Sequence, residues 1–157
     1  MFKGQQKKIL SPGTNKKLHI FGALNFISNR VTYQIFDHKT QWQMETFLLK
    51  LFCEAYPDEY LVIALDNVNY HKTALIEQLL CDYSDRVFVL WLPKYYPELN
   101  LIERFWEHLK QIVFDSYYWG SQASLEQAAH EFFHEHNTNP TSDIAISFRK
   151  SKNLSEL

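Results

Sequence analysis

The run Leu61-Val62-Ile63-Ala64-Leu65, stopped by Asp66-Asn67, constrains the fold of this chain more than any other stretch. Five apolar residues, two of them β-branched and bounded by polar ones, predict a fully buried strand rather than a helix. A carboxylate at the end of such a strand is held on a rigid element at the edge of the sheet, where open α/β sheets bind ligands. A second strand is predicted over Arg86-Val87-Phe88-Val89-Leu90-Trp91-Leu92, stopping at Pro93. The loop Pro93-Lys94-Tyr95-Tyr96-Pro97-Glu98-Leu99-Asn100 is punctuated by proline and cannot be helix. Asn100 is a natural N-cap for the helix that opens with Leu101-Ile102-Glu103-Arg104. With 36 residues between them, Asp66 and Glu103 are placed to meet at one sheet edge, one from a strand end and one from a helical first turn. Two carboxylates there suit a hard divalent cation such as Mg²⁺. That is the metal chemistry used on phosphodiesters.

The pattern Leu65-Asp66-Asn67 with His71-Lys72, followed by Leu92-Pro93-x-Tyr95-x-Pro97-Glu98-Leu99-Asn100-x-Ile102-Glu103-Arg104-x-Trp106-x-x-Leu109-Lys110, resembles the DDE transposases of the mariner superfamily, in their bacterial insertion-sequence branch. Val68, Tyr96 and Leu101 depart from the Ala, Ser and Pro usual there, and none of these positions carries a metal-binding group. The resemblance implies a ribonuclease-H-like fold with three catalytic carboxylates, on the first strand, the fourth strand and a late helix. Asp66 matches the second and Glu103 the third. It further implies two Mg²⁺ (or Mn²⁺) ions, DNA as the partner at transposon ends and target, and a homodimer in the intact enzyme. Asn67, His71, Lys94 and Lys110 are the candidates for contact with nucleic acid.

Each assignment has a plainer alternative. Asp66 alone would serve as a turn former or helix cap, and Asn67 and His71 as loop-satisfying polar groups. Asn100-x-x-Glu103 is also a capping box, in which Glu103 folds back on its own helix start. Lys110 on a solvated helix face needs no DNA. His130-Glu131-Phe132-Phe133-His134 spells the zinc-protease pattern H-E-x-x-H. No third ligand is evident, however, and Ala129, Phe132 and Phe133 fit a helix core.

A length of 157 residues predicts one domain over 1–157 with a real core. A hydrophobic content of 46% fits a folded protein rather than a disordered one. Cys53 and Cys81 stand isolated, which predicts reduced thiols and a cytoplasmic protein. No apolar stretch approaches the roughly 20 residues that span a bilayer. Net charge is −2, yet all six basic residues before Asp37 (Lys3, Lys7, Lys8, Lys16, Lys17 and Arg30) stand without one acidic neighbour. Residues 1–17 therefore read as a basic arm able to meet phosphate, or equally as a solvated loop.

Along the chain, residues 18–26 and 30–36 predict paired strands joined at Ile27-Ser28-Asn29. Thr40 caps a predicted helix over 41–56 with Trp42, Phe47, Leu48, Leu51 and Phe52 on one face. After the Asp66 strand, 73–82 reads as an amphipathic helix with Ala74, Leu75, Leu79 and Leu80. The Glu103 helix presents Ile102, Phe105, Trp106, Leu109, Ile112 and Val113, and Ser124 caps a last helix over 125–136. Residues 144–148 predict a short element and 150–157 a frayed tail. The fold class is α/β, a ribonuclease-H-like mixed sheet flanked by helices and lacking its first strand.

The lacking strand follows from the resemblance. The first catalytic Asp belongs upstream of the hairpin, and no acidic residue precedes Asp37, which lies after it. The expectation is the C-terminal part of a DDE catalytic domain that does not cleave DNA alone and whose partner is an upstream-encoded portion of the transposase. The alternative is a non-catalytic remnant that binds DNA or full-length transposase.

Overall fold

The computed structural model describes residues 17–66, 69–93, 101–115 and 119–140. All of the expected arm but Lys17, the element expected over 144–148 and the expected tail lie outside them.

The first two strands, β1 (His19–Leu24) and β2 (Val31–Phe36), form an antiparallel hairpin in which Phe21 pairs with Gln34 and Leu24 with Val31. Asn25 organises its turn. The side-chain oxygen of Asn25 accepts from the amides of Ile27 and Ser28 at 2.9 and 3.0 Å. Asn29 takes the left-handed backbone at φ 59°, a conformation that asparagine tolerates better than most residues.

Both faces of the hairpin are covered. Phe21, Ala23 and Phe36 pack against helix α1 (Gln41–Lys50). Ile20, Leu24, Val31 and Tyr33 pack against α3 (Leu101–Leu109) and α4 (Gln122–Thr138). Alternation along each strand thus feeds two separate cores. The outer edge of β2 is closed by side chains: the Asn137 amide accepts from Val31 N at 2.8 Å and donates to Val31 O at 2.9 Å. Lys50 Nζ donates to Tyr33 O at 3.2 Å.

Thr40 caps α1 as predicted, its hydroxyl accepting from Trp42 N. The buried stripe of α1 is Met44, Phe47 and Leu48, and Leu51 and Phe52 extend it through a wider turn over Leu51–Ala55. Trp42, expected on that face, is 59% exposed. It lies five residues before Phe47, which rotates it well away from the 44-47-48-51-52 stripe.

Strands β3 (Leu61–Leu65) and β4 (Val87–Trp91) pair in parallel, joined by α2 (Ala74–Asp82), whose Ile76 and Leu79 enter the α1 core. The expectation of a fully buried β3 is corrected here. Leu61, Ile63 and Leu65 face the core, but Val62 is 73% exposed and Phe88 beside it 66%. Among the described residues, helices cover the ladder on one face only. Ile112, expected on the apolar side of the Glu103 helix, is likewise exposed, beyond the buried line Phe105, Leu109 and Val113. The last helix begins three residues earlier than expected. Ser121 rather than Ser124 is its cap, accepting from Ser124 N at 3.0 Å.

The mixed α/β architecture therefore stands as two two-stranded ladders, one antiparallel and one parallel, with no strand joining them among the described residues. A shared apolar cluster of Phe21, Phe47, Phe52, Ile76 and Val87 ties both ladders to α1 and α2. No helix among the described residues is long and apolar enough to cross a membrane.

Candidate active site

Asp66, His71, Lys72 and Trp91 gather at the carboxyl-terminal end of the parallel ladder. Leu65 pairs with Trp91, and Leu92 N donates to Leu65 O at 2.8 Å, so the ladder runs to the residue before Asp66. Asp66 thus leaves the sheet from a backbone that is hydrogen-bonded on the β4 side. Its side chain is 46% exposed.

His71 closes back on it. A single 3₁₀ turn, Asn69–His71, precedes Thr73, whose hydroxyl caps α2 by accepting from Ile76 N. Pinned between that turn and the helix start, His71 is only 5% exposed. Its Nδ1 lies 2.9 Å from Asp66 Oδ1 and 2.9 Å from the Asp66 carbonyl oxygen. The structure thus brings Asp66 and His71 together. Lys72, next in the chain, carries its ammonium 4.9 Å from the centre of the Trp91 ring, a cation–π contact. Sequence reasoning passed over Lys72 and Trp91 as site residues. The signal available was that Lys72 adjoins His71 in the motif and that Trp91 lies one residue before the end of the strand predicted over 86–92.

Glu103 sits in the first turn of α3 and is exposed. Phe105 and Leu109, on the other side of the helix, are buried in the α4 core. Trp106 anchors the same turn on the hairpin, where β1 has Gly22 and a side chain would collide with the indole. Lys110 is exposed seven residues after Glu103, on the same helical face. Asn67 and Lys94 lie outside the described residues, as does the Asn100 cap. Asp66 and Glu103 each offer carboxylate oxygens, the donor type that a hard cation takes. Among the described residues no group of three His, Cys, Asp or Glu side chains stands at metal-holding spacing.

The H-E-x-x-H segment is engaged structurally. His130 Nδ1 lies 2.7 Å from the Tyr33 hydroxyl, and Glu126 lies 3.8 Å from Nε2. Phe133 stacks on the Tyr33 ring at 3.7 Å. Burial pushes the Tyr33 phenol above its ordinary value. His134 is exposed. This segment joins α4 to the hairpin.

Comparison with known proteins places the chain in a family. Residues 1–126 match the family described as DDE superfamily endonuclease. The insertion element IS630 uncharacterized 39 kDa protein of Shigella sonnei is 25% identical over 130 residues, which are 83% of this chain and 38% of that protein. The chain therefore spans well under half the length of this curated relative. The crystallised catalytic core domain of BIV integrase superposes with a TM-score of 0.50 at 20% identity, over 80% of this chain and 91% of that one. At that identity the likeness is one of fold, and it bears out the ribonuclease-H-like α/β architecture. The family match covers most of the sequence and takes in both Asp66 and Glu103, so this chain belongs to the DDE superfamily of endonucleases.

Proposed function

We propose that this chain is the C-terminal part of a DDE transposase catalytic domain of the mariner type, with Asp66 and Glu103 as ligands of a divalent cation, Mg²⁺ or Mn²⁺. The observation that carries the reading is Asp66 at the end of the parallel ladder, half exposed and gripped by a buried histidine. A carboxylate serving only as a turn former needs no such partner. When bound, a divalent ion supplies Lewis-acid polarisation of a phosphodiester and activation of the attacking oxygen.

The protein's own part is to hold its oxygens in place. Asp66 presents one carboxylate oxygen while His71 restrains the other. Glu103 contributes from a helical turn whose opposite side is buried. Exposed Lys110 lies along the same helix face, and Lys72 beside Trp91; both supply positive charge for a phosphate backbone. The substrates would be the DNA of transposon ends and target, with a homodimer pairing two ends and an upstream-encoded portion completing the domain. The second reading, a non-catalytic remnant that binds DNA or full-length transposase, is favoured by the lack of a three-ligand cluster among the described residues.

Manganese binding tests the assignment. Asp66→Asn and Glu103→Gln should each weaken Mn²⁺ uptake by the purified chain roughly tenfold or more, about 1.4 kcal/mol, without lowering the thermal midpoint. Wild-type affinity in both variants would sink it.

A further inference from the structure

We propose that His71 is a positioning residue of this site: its buried imidazole fixes the Asp66 carboxylate in the orientation that holds the cation. The inference rests on the reading of Asp66 as a metal ligand and adds to it a device that orients the ligand.

Nδ1 of His71 meets two oxygens of one residue, Asp66 Oδ1 at 2.9 Å and Asp66 O at 2.9 Å. A carboxylate and a carbonyl only accept, so the proton must sit on Nδ1, shared between them. One donor therefore restrains the end of the strand and the side chain that leaves it. A carboxylate 46% exposed would otherwise rotate freely about its terminal bond. With Oδ1 engaged, Oδ2 is the oxygen left for a cation, and ordering the ligand beforehand removes that cost from binding. Hydrogen bonds to ligating carboxylates act this way in metal sites generally.

The imidazole itself is 5% exposed. Direct contact between that ring and a phosphate, expected from the sequence, fits the geometry less well than action through Asp66. A purely structural role, tying the loop after β3 to α2, predicts the same hydrogen bonds but no dependence of metal affinity on where the donor sits.

The test uses the full chain and Mn²⁺ alone, followed by water-proton relaxation. In His71→Asn the side-chain amide nitrogen takes the place of Nδ1. In His71→Gln the amide lies one bond further out, and His71→Leu has no donor. The expected result is Mn²⁺ affinity within about twofold of wild type for the Asn variant, and a loss of roughly tenfold or more for Gln and Leu. Nitrogen-15 ring spectra of the wild type should show the proton on Nδ1. If His71→Leu does not fold, the Asn and Gln pair decides. The proposal is overturned if Gln binds as wild type while Asp66→Asn does not bind, or if the ring spectra place the only proton on Nε2. If Asp66→Asn binds as wild type, or the wild type takes up no Mn²⁺, the metal reading of Asp66 falls first and the positioning role with it.

Discussion

Arg86 stands at the end of the parallel ladder opposite Asp66, and its backbone oxygen accepts from Leu61 N at 2.8 Å. Its guanidinium reaches three carbonyls left by the end of α1 and the loop behind it: Phe52 O at 2.6 Å, Tyr56 O at 2.9 Å and Glu59 O at 3.2 Å. A planar fork serves several acceptors at once, which a lysine ammonium on a flexible stem does less well. Charge-assisted bonds of this kind contribute about 1.5–3 kcal/mol where water does not replace them. Arg86→Met keeps the packing of the stem and removes the donors. It should cost about 2–3 kcal/mol in urea unfolding, with Arg86→Lys recovering under half. A loss below about 1 kcal/mol would mean that water satisfies these carbonyls unaided. In the sequence Arg86 is only the first position of a predicted strand. Nothing local in Ser84-Asp85-Arg86 announces that the side chain turns back across 34 residues to Phe52.

At the scale of elements, what was legible is what local periodicity and punctuation determine. The hairpin turn, the Thr40 cap and the run ending at Asp66 are written in adjacent residues; the cap and the run fall where the sequence puts them, while the turn opens at Asn25, two residues before the expected Ile27. Which face of an element is covered depends on neighbours distant in sequence, and there the expectations fail: Trp42, Ile112 and Val62 are apolar yet exposed. The candidate site divides in the same way. Asp66 and Glu103 carry motif signals, whereas the grip of His71 on Asp66 depends on how the 3₁₀ turn folds back. Contact between elements is also what fixes the Glu103 turn. A Cβ placed on Gly22 would lie 2.6 and 2.9 Å from ring atoms of Trp106, so β1 and α3 approach closely only because glycine is there. An indole cannot bend aside as a lysine tail does. Gly22→Ala should therefore cost about 1–3 kcal/mol through overpacking. In a Trp106→Leu background that cost should largely vanish, a coupling readable from a double-mutant cycle of urea midpoints. Additive losses would show that the strand, not its contact with the indole, requires glycine.

For the molecule as a whole, the unequal covering of the two ladders is the feature with consequences. The hairpin is buried on both faces, between α1 on one side and α3 and α4 on the other. Among the described residues, the parallel ladder has helices on one face, leaving Val62 at 73%, Phe88 at 66% and Leu90 at 51% exposure. Parallel sheets are ordinarily covered on both sides, and a contiguous apolar patch on a soluble surface promotes association. Polar replacement there should thus act on association rather than on folding. Each of these side chains is already mostly in water, so the double substitution Phe88→Thr and Leu90→Thr removes little buried area. Threonine also suits a strand, being β-branched. The variant should unfold in urea within about 0.5 kcal/mol of wild type. Its sedimentation velocity should show less concentration-dependent self-association. A stability loss beyond about 1.5 kcal/mol, as expected when buried apolar side chains are removed, would mean that the folded chain already covers this face.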